Sequence, residues 1–220
     1  MRQHLPPPPA PDAHAALRAA MHALSPLPDA EWAFFSSHVR DRSFAIGDFL
    51  FRERAPAIDA HFIVHGLVRI YQSGDGTEFV RGFDFENRFV AMYGALLTGD
   101  PSHLNVQALE QVRTLSFPAS LLHQLYDRHA CWERFGRRML EQKLLQWQDK
   151  ESRFRTLTPE AHYRLLVTRQ SPLLGRVPLH QLAAYLQITP ETLSRIRARV
   201  HRAAAPVPDA ARRRVAAPAT

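Results

Sequence analysis

Between Phe44 and Phe117 the chain breaks into short apolar runs separated by turn residues, and this series restricts the fold more than any other feature. The runs are Phe44–Ile46, Phe49–Phe51, His61–Val64, Leu67–Tyr71, Thr77–Phe83, Val106–Leu109 and Val112–Phe117. Gly47-Asp48 and His65-Gly66 punctuate them. Gly74-Asp75-Gly76 is a strong hairpin signal, because glycine takes the positive φ that a tight turn demands. Parallel strands would need a crossover of a dozen or more residues between each pair. Runs this closely spaced therefore predict an antiparallel barrel or jelly roll.

Past Phe117 the period changes to that of helices. Ser120–Asp127 reads as a short helix, and Arg128–Phe154 as one long helix without proline, its only glycine being Gly136. About 25 residues at 1.5 Å each give about 38 Å. Phe135, Met139, Gln142 and Leu145 follow a 4-3-3 spacing, broadened by Leu144, Trp147 and Phe154. One reading is a core helix of a single monomer. The length favours the other, a dimerisation helix whose polar Gln142 sets register. Trp32, Phe34 and Phe35 lie on an earlier helix, and Ala13–Leu24 is compatible with one short helix behind a polyproline start.

The stretch Val177–Val200 reads as two short helices, Leu179–Leu186 and Pro190–Arg199. Leu182, Ala183 and Leu186 share one face, Leu193 and Ile196 another. Thr189 stands at an N-cap and Pro190 at the first helical position, where a missing N–H costs nothing. This is the layout of a helix-turn-helix, whose second helix enters the DNA major groove. An ordinary helix pair with a solvated charged face is the competing reading. The exposed chemistry weighs against it: Arg donates twice to guanine, Glu accepts from cytosine, and Ser and Thr reach phosphates.

The formal net charge is +7, and its placement is informative. Residues 1–155 hold 18 basic and 18 acidic side chains, whereas residues 156–220 hold 10 Arg and 3 acidic ones. A basic segment attached to a neutral one points to a polyanion partner. The single cysteine, Cys131, excludes an internal disulfide and a cysteine-ligated cluster. No run is long enough to span a bilayer, and the proline-interrupted start is no signal peptide, so no membrane partner and a cytoplasmic location are expected.

Gly47-Asp48-x-Leu50-Phe51-x-Glu53, Phe62-Ile63-Val64-x-Gly66-x-Val68-Arg69-Ile70-Tyr71 and Asp75-Gly76 resemble the cyclic-nucleotide-binding β-roll. With Tyr163-x-Leu165-Leu166, Val177-Pro178-Leu179, Ala183-x-Tyr185-Leu186 and Ile188–Ile196, the chain from about Trp32 to Val200 resembles the Crp/Fnr family of bacterial transcription regulators. The resemblance, with the composition of the two ends, predicts an α+β chain in five parts. These are an N-terminal tail (1–25), a β-roll sensor (26–118), connecting and dimerisation helices (119–155), a helix-turn-helix domain (156–201) and a disordered basic tail (202–220). The residues after Val200 lack strand alternation, so the family's wing is expected to be reduced or absent.

The resemblance also implies the partners and sites. Double-stranded DNA and a second copy of the chain are the partners, with RNA polymerase beside them. Glu191, Ser194 and Arg195 fall where Fnr-like members read base edges of a TTGA-like half-site. His180, Thr189, Thr192, Arg197 and Arg199 would hold phosphates. Cyclic-AMP-binding relatives use a Gly-Glu pair and an Arg-Ser or Arg-Thr pair around the ligand. Those positions here are Ala91-Met92 and Ser102-His103, so every charged contact is gone. Burying a phosphate without them is costly, and cyclic-nucleotide binding is not expected. The effector is left unidentified, and no cofactor is assigned. His61, His65, His103, His123 and His129 show no metal-ligand spacing, and no nucleophile–base set or P-loop argues for an enzyme. The alternative is an effector-binding β-roll module whose DNA-binding part is degenerate, a reading fed by Gln187 at a turn position where glycine is frequent.

Overall fold

The computed structural model describes residues 12–56, 59–74, 76–169 and 171–204, with only the backbone of 171, 172, 203 and 204. The chain divides into two compact units, Met1–Thr156 and Leu157–Thr220.

The first unit begins with helices α1 (Ala13–Leu24) and α2 (Asp29–Ser36). Strands β1 (Arg40–Phe44), β2 (Phe49–Phe51), β3 (Asp59–His65), β4 (Val68–Gly74), β5 (Thr77–Asp84) and β6 (Phe89–Val90) follow. Then come α3 (Tyr93–Thr98), β7 (Asn105–Ala108), β8 (Val112–Pro118), α4 (Leu121–Arg128) and α5 (Ala130–Thr156). Two antiparallel four-stranded sheets, ordered β1-β8-β3-β6 and β2-β7-β4-β5, form the roll. The hairpin closes with Gly74 opposite Thr77, and Gly76 has φ +73°. This is the antiparallel jelly-roll-like α+β architecture that the short runs predict.

Alternation along β3 explains the layering. Ala60 and Phe62, with Leu115 and Phe117 of β8, face the helices and pack on Leu17, Met21, Phe35, Leu125 and Trp132. Ile63 faces the roll interior with Phe51, Val68, Val106 and Val112. Gly66 has φ +101°, and a Cβ there would sit 2.4 Å from the Gln111 carbonyl oxygen, so only glycine fits. Gly136 has a different reason: its bare Cα admits the Tyr126 ring between α4 and α5.

Residues 13–24 form the short helix expected there, and it buries Leu17 and Met21 completely, each burial stabilising by about 1.5–3 kcal/mol. Other expectations are modified. The first strand is Arg40–Phe44 rather than Phe44–Ile46, because Asp48 turns the chain back by accepting from the Ala45 amide at 2.8 Å. Ile46 is left 70% exposed. The two-residue β6 carried no readable signal. On α5, the expected seam is split. Phe135 and Met139 are buried in the core of their own unit, whereas Leu144, Leu145 and Trp147 are exposed and Gln142 faces solvent.

The second unit holds α6 (Pro159–Arg169), α7 (Ser171–Leu174), α8 (Leu179–Tyr185) and α9 (Pro190–Ala204). Its core is Tyr163, Leu166, Val177, Leu182, Ala183, Leu186, Leu193, Ile196 and Val200. The expected wingless tail lies outside the described residues from 205 onward.

Candidate nucleic-acid interface

The turn between α8 and α9 is built by hydrogen bonds from consecutive amides. Gln187 N–H donates to the Ala184 carbonyl at 3.1 Å and Ile188 N–H to that of Ala183 at 3.1 Å. Gln187 takes φ +58°, the left-handed conformation that glycine adopts more cheaply. Ala183 is wholly buried, as the small residue of a close helix crossing should be. Thr189 Oγ1 accepts from the Thr192 amide at 3.2 Å, a side-chain N-cap that starts α9.

Leu193, Ile196 and Val200 form the buried stripe of α9. At 3.6 residues per turn, Glu191, Ser194, Arg195, Ala198 and Arg202 lie on the opposite side, and all five are exposed. The three expected base-edge residues are thus together, and Ala198 leaves the surface between Arg195 and Arg202 uncrowded. Arg202 was missed because the sequence reading ended the helix at Arg199. Its signal is the i+7 spacing from Arg195. Glu191 is held ionised: hydrogen bonds from its own backbone N–H and from the Thr189 hydroxyl keep its carboxyl below the usual range. It is therefore an acceptor only. Arg195 Nε rests 3.4 Å from the Glu191 carbonyl oxygen, with its guanidinium exposed.

The expected phosphate contacts are less uniform. Arg197 is exposed on the flank of this face. Arg199 is engaged elsewhere, donating through Nε at 3.0 Å and a terminal nitrogen at 2.7 Å to Glu160 of α6. Arg164 also donates to Glu160, at 2.9 Å, and these two partners hold the Glu160 carboxyl below its ordinary range. Arg199 therefore braces α9 on α6 in this structure. Thr189 and Thr192 hydroxyls face each other at 3.2 Å, and His180 is exposed in the first turn of α8 beside Gln181.

In the roll, three of the four positions that hold the nucleotide in cyclic-AMP-binding relatives are buried among neutral contacts. Ala91, Met92 and Ser102 are buried. The Ser102 hydroxyl donates to Met92 Sδ at 3.1 Å and accepts from the Leu104 amide at 3.0 Å. His103 lines a cleft of about 70 Å³ with Glu53, Arg54, Gln72 and Ser73. Cys131 is buried, and burial, with the Glu31 charge, raises its thiol, opposite to what a reactive thiolate needs. Among the described residues no three metal-ligating side chains converge, and no helix is long and apolar enough to cross a membrane.

The comparisons with known proteins agree on the roll. Residues 41–129 match the family model of the cyclic nucleotide-binding domain. By sequence the chain matches no curated protein. FixK2 from Bradyrhizobium japonicum superposes with a TM-score of 0.65 at 20% identity over 76% of this chain and 86% of its own. CLP of Xanthomonas campestris, described as a c-di-GMP responsive global regulator, gives 0.59 at 19% identity over 80% and 93%. DNR from Pseudomonas aeruginosa gives 0.51 at 19% identity over 86% and 87%. The chain therefore carries a cyclic nucleotide-binding domain and has the fold of these Crp/Fnr-type regulators.

Proposed function

We propose that this chain is a cytoplasmic transcription regulator that binds a palindromic operator as a homodimer, reads it with α9 and is not controlled by cyclic AMP. The observation that carries the reading is the solvent face of α9. An ionised acceptor, a hydroxyl and two guanidiniums stand opposite a fully apolar stripe, on a unit whose sequence holds 10 Arg against 3 acidic residues. A solvated helix has no need of such a mixed set, whereas base edges in the major groove present matching acceptors and amino donors. Ser194 and Arg195 fit the guanine-containing half-site, and Glu191 accepts an exocyclic amino group.

Dimerisation is supported by α5. Leu140, Leu144 and Trp147 recur at helical spacing and are 38%, 56% and 64% exposed. An apolar stripe on a 27-residue helix is suited to pairing with a second copy. Independence from cyclic AMP is supported by the Met92–Ser102 contact, since neither side chain offers a nucleotide phosphate a cation.

Mobility shifts on a duplex carrying an inverted TTGA repeat, against a scrambled duplex, test the proposal. The repeat should be retarded at lower protein concentration, equally with and without cyclic AMP. Equal retardation of both duplexes would overturn sequence-specific reading, and a gain with cyclic AMP would overturn the effector claim.

A further inference from the structure

The roll contains a second cavity, of about 260 Å³, that includes none of Ala91, Met92, Ser102 and His103. Its walls are aromatic. Phe44 and Phe51 stand edge-on to the His61 ring at centroid distances of 5.7 and 5.2 Å. Phe49 lines it too, with the Arg52 guanidinium 3.8 Å above its ring. His61 is buried, and its Nδ1 lies 3.1 Å from Thr114 Oγ1. The other ring nitrogen, Nε2, has no hydrogen-bond partner among the described residues. Arg42 and Asp59 complete the polar lining, and neither forms a salt bridge among the described residues.

We infer that this cavity is a binding site for a small aromatic carboxylate. Three phenyl rings offer edges and faces to a flat ring, at geometries that add to simple area burial. Two guanidiniums against one carboxylate leave the lining with a net positive charge that a single anionic group balances. Arg42 lacks a carboxylate partner of its own, and a planar carboxylate is what its fork of donors fits. A neutral imidazole fixed through Nδ1 presents Nε2 as the single directional group in the apolar part. Burial keeps that imidazole neutral, its pKa lowered to about 4. Size limits the ligand as well. Pockets for drug-sized ligands run to about 300–1,000 Å³, so this one accommodates one ring and its substituents rather than a nucleotide.

Binding here is separate from DNA recognition, and the test uses the free full-length protein. Benzoate and phenylacetate are titrated calorimetrically, with benzyl alcohol as the uncharged control, and the His61 ring resonances are followed by NMR. Both carboxylates should bind saturably, shift the His61 signals and outcompete benzyl alcohol. Arg42→Gln, at an exposed position, should leave the circular dichroism unchanged and weaken benzoate about tenfold, within the range of a charge-assisted hydrogen bond. Benzyl alcohol should be unaffected by it. Absence of saturable benzoate binding up to about 10 mM overturns the inference. So does an Arg42→Gln variant that binds benzoate as well as the parent. Either result leaves the mobility-shift outcome unaltered, so failure of this site and failure of DNA binding are read apart.

Discussion

His61 ties the roll interior to solution pH. Its folded pKa is lowered from 6.5 to about 4, first by burial and then by the Arg42 charge, with Asp59 opposing. The fold therefore favours the neutral ring. Its stabilisation is complete above about pH 6.5 and is lost as pH falls toward 4, because the unfolded chain takes up the proton first. Urea titrations at pH 7 and near pH 4.5 should show a loss on the order of 2–3 kcal/mol from this group. His61→Gln, which does not titrate, should show a smaller loss across the same window, and an equal loss would place the acid sensitivity elsewhere. The burial of His61 was not legible in the sequence, since one histidine in a strand looks like any other. Glu31 is a second case. Its carboxylate accepts from Trp132 Nε1 at 2.9 Å and from Arg128 Nε at 3.0 Å, so those bonds keep its carboxyl below the usual range. Those partners are about 100 residues away in sequence. The Arg199–Glu160 pair is hidden for the same reason: local pattern shows a charge, not whether another helix answers it.

At the scale of elements, legibility follows how much of the signal is local. The hairpin at Gly74–Gly76, the Thr189-Pro190 start of α9 and the long α5 were readable because turns, caps and the absence of breakers act within a few residues. Strand β1 was misplaced because its RDRSF sequence has no alternation and is defined by pairing with β8 from Arg40–Ser116 to Phe44–Val112. The α5 stripe was misassigned because period identifies apolar faces but not what covers them. Met139 serves its own monomer, and Leu144 and Trp147 are the outward residues. This division makes a prediction. Leu144→Glu combined with Trp147→Glu should leave thermal stability of the monomer fold nearly intact and convert the protein to monomer in sedimentation. Met139→Glu should instead lower stability by about 3 kcal/mol or more through an unpaired buried charge. A dimer that survives the first double substitution would move the interface off this face. Gln187 gives the second element-scale prediction. Its φ of +58° costs an L-residue about 1–2 kcal/mol, so Gln187→Gly should raise the denaturation midpoint of the second unit. A lowered midpoint would show that the Gln187 side chain contributes more than its backbone strain costs.

At the scale of the whole molecule, charge and fold were both visible before any coordinates. The neutral 1–155 and basic 156–220 segments correspond closely to the two compact units. The roll was recognisable from its turns. The full extent of the exposed polar face of α9 needed the helix to continue to Ala204, which places Arg202 on the same side as Arg195, two turns further on. The central claim is that α9 reads sequence, and selection of bound duplexes from a random pool, repeated with Arg195→Ala, tests it most directly. The parent should return an inverted repeat with a guanine in each half-site. Arg195→Ala should bind that repeat about 1–3 kcal/mol more weakly and relax its preference at that one base pair. A pool without a palindrome, or an unchanged motif with Arg195→Ala, would contradict the account.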